Sequence, residues 1–68
     1  MEAEKWGRKI RAYRKLKGYT QEGLAKSIDI SVSILGEVER GNRMPSQILV
    51  EKVAEELQID KKLLTPEE

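Results

Sequence analysis

The chain has 68 residues, with 13 Lys and Arg against 12 Asp and Glu, and contains neither Cys nor His. A chain this short carries one small core. The missing residues exclude a thiol nucleophile, a Cys/His zinc site, disulfide staples and the usual histidine general base. The formal net charge of +1 hides a division: residues 1–34 hold eight bases and four acids, net +4, whereas residues 35–68 hold five bases and eight acids, net −3. The basic block is Lys5, Arg8, Lys9, Arg11, Arg14, Lys15, Lys17 and Lys26, and the acidic block is Glu51, Glu55, Glu56, Asp60, Glu67 and Glu68. A basic block either attracts phosphates at long range or is simply a solvated helix face.

The first predicted element is a helix from about Glu4 to Lys17, because Trp6, Ile10, Tyr13 and Leu16 recur at steps of four, three and three. Gly18 suits a left-handed cap at its end. Thr20 offers a hydroxyl N-cap for a second helix, about 21–28, with Leu24, Ala25 and Ile28 facing inward. Asp29-Ile30 breaks that pattern, and Ser31 caps a third helix, about 32–39, whose inward residues are Leu35 and Val38 and which stops at Gly41. Arg40 to Pro45 is a turn. Ser46 caps a fourth helix carrying Val50, Val53, Ala54 and Leu57, and Asp60 opens a last short helix with Leu63 and Leu64 before Thr65-Pro66. No run has the period-two alternation of a strand. The expectation is an all-α, five-helix single domain over residues 1–68, with frayed ends.

No stretch approaches the roughly 18 apolar residues of a membrane helix. The acidic start, Met1-Glu2-Ala3-Glu4, lacks the apolar core of a signal peptide. These features lead us to expect a cytoplasmic protein with no membrane association, cofactor, metal or small-molecule ligand domain. Glu55 and Glu56 are adjacent on a helix and do not share a face, so a paired-carboxylate enzyme is not indicated.

Two short capped helices around a tight turn outline a helix-turn-helix. The residues sharpen the outline. The string Arg11-x-x-Arg14-x-x-x-Gly18-x-Thr20-Gln21-Glu22-x-Leu24-Ala25 is followed by Ser31, Leu35, Val38-Glu39-Arg40-Gly41 and Arg43-x-Pro45-Ser46. Over about residues 7–64 the chain resembles the XRE family, the helix-turn-helix domains of Cro and the phage repressors. The resemblance implies a phage-repressor-like fold and a sequence-specific transcriptional regulator. Such a protein binds double-stranded DNA in the major groove, as a homodimer on half-sites roughly 34 Å apart.

The resemblance also implies roles for single residues. Thr20 and Gln21, at the start of the second helix, fall where family members hold a DNA phosphate, and a helix N-terminus favours an anion. Gln21 also reads as an ordinary polar first-turn residue. Arg40, Asn42 and Arg43 fall at backbone-contacting positions, with Arg43 alternatively a solvated loop cation. Lys9, with Lys5 and Arg8, is a phosphate candidate from the first helix, while Arg11 and Lys15 read as solvated. Arg14 and Glu39 match a pair that forms a buried, structural ion pair in the phage repressors.

The base-facing positions depart from the family pattern. Val32, Ser33, Gly36 and Glu37 stand where Arg, Gln, Lys, Ser or Thr are usual, so no bidentate reader of guanine or adenine is present on the helix. Val32 can pack on a thymine methyl, Ser33 can donate or accept, Gly36 permits close backbone approach, and Glu37 can accept from a cytosine amino group. Two readings follow: a DNA binder helped by groove shape, or an antitoxin-like or adaptor module that uses Val32, Ile34 and Met44 as a protein-binding patch. Ile59, Leu63 and Leu64 either form a dimer seam or close the monomer's own core.

Overall fold

The computed structural model describes residues 2–66. The expected fraying at Met1 and at 67–68, and the last two acids of the acidic block, lie outside the described residues. Four α-helices follow in order: α1 (Glu2–Leu16), α2 (Gln21–Ser27), α3 (Val32–Glu39) and α4 (Gln47–Leu57), with a 3-10 turn at Lys61–Leu63. Among the described residues there is no strand. The architecture is all-helical as expected, with four α-helices rather than five. The fifth element is shorter because only a few residues separate its Asp60 cap from Pro66, whose ring disfavours α geometry at Thr65. A run of this length takes the tighter 3-10 form.

Acids at Glu2 and Glu4 in the first turn and bases at Arg14 and Lys15 in the last complement the dipole of α1. The helix starts and stops slightly earlier than the hydrophobic spacing predicts. Gly18, at φ 82°, ends it. Its N–H reaches Lys15 O at 3.0 Å and that of Tyr19 reaches Arg14 O at 3.0 Å. This is the paired bonding that a left-handed glycine permits.

The inward face of α1 differs from the predicted one. Ile10 is fully buried, and Trp6 and Tyr13 pack partly against the core, but Leu16 is 73% exposed. Gly7 is buried instead, and Arg14 is buried as the resemblance implies. Residues three and four apart share a face, so Gly7, Ile10 and Arg14 form one row. A Cβ on Gly7 would lie 2.2 Å from Val38 O and 2.8 Å from Glu39 O, so only glycine lets α1 close onto the end of α3.

Leu24, Ala25 and Ile28 from α2, Leu35 and Val38 from α3, and Leu49, Val50, Val53, Ala54 and Leu57 from α4 complete the core. Leu64 is fully buried there, while Leu63 is exposed. The C-terminal segment therefore closes the monomer's own core through Leu64, with Ile59 packed against it. Tyr19 ties the end of α1 to α4, its hydroxyl donating to Glu56 Oε2 at 2.6 Å. That bond, with some burial and the nearby carboxylate charge, raises the phenol above its ordinary pKa of 10.0.

Candidate nucleic-acid interface

α2, the turn at residues 28–31 and α3 form the helix-turn-helix. Thr20 Oγ1 accepts from Gly23 N–H at 2.9 Å and Ser31 Oγ accepts from Ser33 N–H at 3.2 Å, so both expected caps are in place. Between them Asp29 sits in the left-handed region at φ 58°, and Ile30 N–H returns to Ala25 O at 2.9 Å. Aspartate is among the few non-glycine residues that tolerate this conformation. The turn swings α3 away from α2.

Behind this unit lies a buried polar network. Arg14 Nε donates to Glu39 Oε2 at 2.7 Å and Nη2 to Glu39 Oε1 at 3.0 Å, a two-point clamp; Nη1 donates to Tyr19 O at 2.9 Å. The two side chains are only 9% and 3% exposed. Gln21 joins the network, its Nε2 donating to Glu39 Oε1 at 3.2 Å. The expected ion pair thus forms, and it also restrains Gln21 at the first position of α2.

The network opens onto a polar cleft of about 310 Å³ lined by Arg11, Arg14, Gln21, Glu39 and Arg40. Three guanidinium groups face one carboxylate there, net +2. Glu39 neutralises Arg14, so the excess belongs to Arg11 and Arg40. A Cβ on Gly36 would lie 3.1 Å from Arg40 Nη1 and 3.5 Å from Gln21 Oε1. Gly36 is therefore a spacer that lets the Arg40 guanidinium and the Gln21 amide converge. It is buried beneath them rather than open to a groove, which departs from the base-facing place assigned to it by sequence. The reason is its position one residue after Leu35 and two before Val38, on the inward flank of α3.

The outward flank carries the other three predicted base-facing residues. Val32 and Ser33 are exposed and Glu37 is half-exposed, with Ser33 and Glu37 one turn apart on the same face. Glu37 is not alone: Arg43 Nε donates to its Oε1 at 2.7 Å. Asn42 is exposed in the intervening turn, its backbone N–H bound to Glu37 O at 2.9 Å. Gly41, at φ 81°, makes that turn possible.

Lys9 does not join these residues. It lines a separate groove with Lys5, Arg8, Ala12, Tyr13 and Pro66. Two residues along a helix is a rotation of about 200°, so Lys9 and Arg11 face opposite ways. Arg11, read from sequence as solvated, lines the cleft together with Arg14 of the same helix. Its signal was its placement three residues before Arg14, on the same face.

Among the described residues no group of three or more His, Cys, Asp or Glu is placed to hold a metal ion. No described helix is long and apolar enough to cross a membrane.

This arrangement of two capped helices, a buried Arg–Glu pair and a projecting α3 defines the class, and the comparisons agree. The helix-turn-helix family model matches residues 10–64, and the chain belongs to this family, of the XRE type that its motifs resemble. A relative from Bacillus subtilis (strain 168), the uncharacterized HTH-type transcriptional regulator YazB, is 63% identical over all 68 residues and is covered over 99% of its length. Among solved structures, the restriction-modification controller protein C.AhdI from Aeromonas hydrophila superposes with a TM-score of 0.86 at 37% identity, covering 91% of this chain and 94% of that one. The clp gene regulator ClgR from Corynebacterium glutamicum superposes with a TM-score of 0.89 at 30% identity, covering 94% and 68%.

Proposed function

We propose that this chain is a sequence-specific, DNA-binding transcriptional regulator that places α3 in the major groove. The observation that carries this reading is the cleft of Arg11, Gln21 and Arg40, net +2, held by the buried Arg14–Glu39 pair beside the exposed flank of α3. A guanidinium and a neutral amide converging beside the first turn of a helix suit a phosphate oxygen. In this reading Thr20, Gln21, Arg40 and Asn42 line the phosphate path with Arg11, while Lys9 adds charge from the other side of α1. Val32 and Ser33 meet base edges, and Glu37 lies beside them. The relatives named as regulators and a controller protein support the same role. The protein works as a cytoplasmic homodimer on two half-sites one helical turn apart. It performs no catalysis and needs no cofactor.

The apolar side chains Val32, Ile34 and Met44, 40%, 37% and 48% exposed, are what the protein-interaction reading would use. Binding of the whole chain to random-sequence duplex separates the two. DNA affinity is expected to fall by orders of magnitude between about 50 and 200 mM salt. Gln21→Ala should weaken binding to all sequences alike, and Arg40→Ala should in addition lower the salt slope by about 1. Binding that is undetectable, or indifferent to both substitutions, would return the weight to a protein partner.

A further inference from the structure

The exposed contact between Arg43 and Glu37 has no evident structural purpose. Its closest approach is 2.7 Å, with the two side chains 52% and 39% exposed. A surface pair of this kind contributes little to stability. Yet it lies on the flank of α3 that carries Ser33, where each polar group bears on what the helix reads. Glu37 by itself would repel phosphates and offers a base only an acceptor. Arg43 by itself would swing freely in a loop.

The geometry of the contact changes both. Glu37 accepts through Oε1 from the Arg43 Nε, and no bond between Glu37 and either terminal nitrogen accompanies it. The two Nη groups are the pair of donors that a guanidinium presents side by side. Holding Nε therefore fixes the direction of the fork while leaving it open. In the major groove, guanine alone among the bases offers two adjacent acceptors, N7 and O6. The carboxylate also cancels most of the arginine's charge, which lowers its attraction to phosphate but not its ability to donate two bonds. The missing bidentate reader of α3 is thus available from outside the helix.

We propose that Arg43, braced by Glu37, is the guanine reader of this protein, with Arg43 the base-contacting residue and Glu37 the positioning residue. This rests on the DNA-binding reading and moves Arg43 from a phosphate to a base edge. Each half-site then contains a guanine whose identity depends on Arg43. The brace also restrains a rotamer-rich side chain before DNA arrives, so less freedom is lost on binding.

Selection of bound duplexes from a random pool by the whole chain, followed by titration of the enriched site and its single-base variants, tests this. Wild type is expected to enrich one guanine per half-site and to prefer it over the other bases by roughly 5-fold to 150-fold, the ratio a good bidentate pair provides. The charge-conserving double variant Arg43→Ala with Glu37→Ala should abolish that preference while changing non-specific binding and the salt slope little. Glu37→Ala should reduce the preference several-fold while raising affinity for non-specific duplex, because it removes a negative charge. A purely structural role for Glu37 would not separate those two readouts. If that double variant weakens every sequence equally and lowers the salt slope by about 1, Arg43 is a phosphate contact and the inference fails while DNA binding stands. If Glu37→Ala leaves the guanine preference intact, the brace fails. If no duplex is bound at any salt, both readings fall together.

Discussion

Two arginine–glutamate pairs in this small domain share a closest contact of 2.7 Å, yet their surroundings give them different work. Arg14 and Glu39 are nearly sealed from water, bonded at two points, and each has a further partner, Tyr19 O for the arginine and Gln21 for the glutamate. Arg43 and Glu37 meet at one point in solvent. In low dielectric a charge must have its partner, so the first pair is part of what permits α1 to pack on α3. In water the second pair is nearly neutral in energy, and what it supplies is direction. Distance alone would not have distinguished them; burial and the number of bonds do.

The largest expected effect follows from removing half of the buried pair. Glu39→Ala strands Arg14 and should cost about 3–5 kcal/mol. For a domain of this size that lowers the melting temperature by well over ten degrees or unfolds the protein, at roughly 4–8 °C per kcal/mol. Thermal melts followed by circular dichroism measure it. Replacing both partners, Arg14→Met with Glu39→Leu, should recover much of the loss, since no charge remains uncompensated. A double variant as unstable as the single one would show that the pair matters through packing rather than charge.

A smaller effect probes the seam that brings the buried pair together. Gly7→Ala places a methyl 2.2 Å from Val38 O. Overpacking of this sort costs about 1–3 kcal/mol, more than the roughly 1 kcal/mol that alanine gains in a helix. The urea midpoint should fall. A raised midpoint would mean that α1 and α3 separate freely, and the tight approach would lose its role in burying Arg14.

The smallest expected effect is Glu37→Ala, whose unfolding free energy should stay within about 0.5 kcal/mol of wild type. A loss as large as that of Glu39→Ala in the same melts would erase the contrast between the pairs.

Most of the local structure was legible in the chain. Thr20, Ser31, Ser46 and Asp60 each accept a backbone N–H at the start of the predicted element. Gly18 and Gly41 adopt the left-handed conformations expected of helix stops. These features depend on a residue and its near neighbours, which is why they can be read from a string. The Arg14–Glu39 pair was legible too, but through a resemblance rather than through spacing.

Sequence by itself determined the helical periods, the caps, the polarised charge and the family motif, because each is a short-range property of residue type and order. Tertiary packing decided the rest. It left Leu16 in water, because the row of Gly7, Ile10 and Arg14 is the one that turns inward. It buried Gly36 beneath Gln21 and Arg40, turned Lys9 away from the cleft that Arg11 lines, and joined Arg43 to Glu37 across a turn. All four outcomes depend on which helix faces meet. That is set by the packing of the whole core, which no local window of the chain contains.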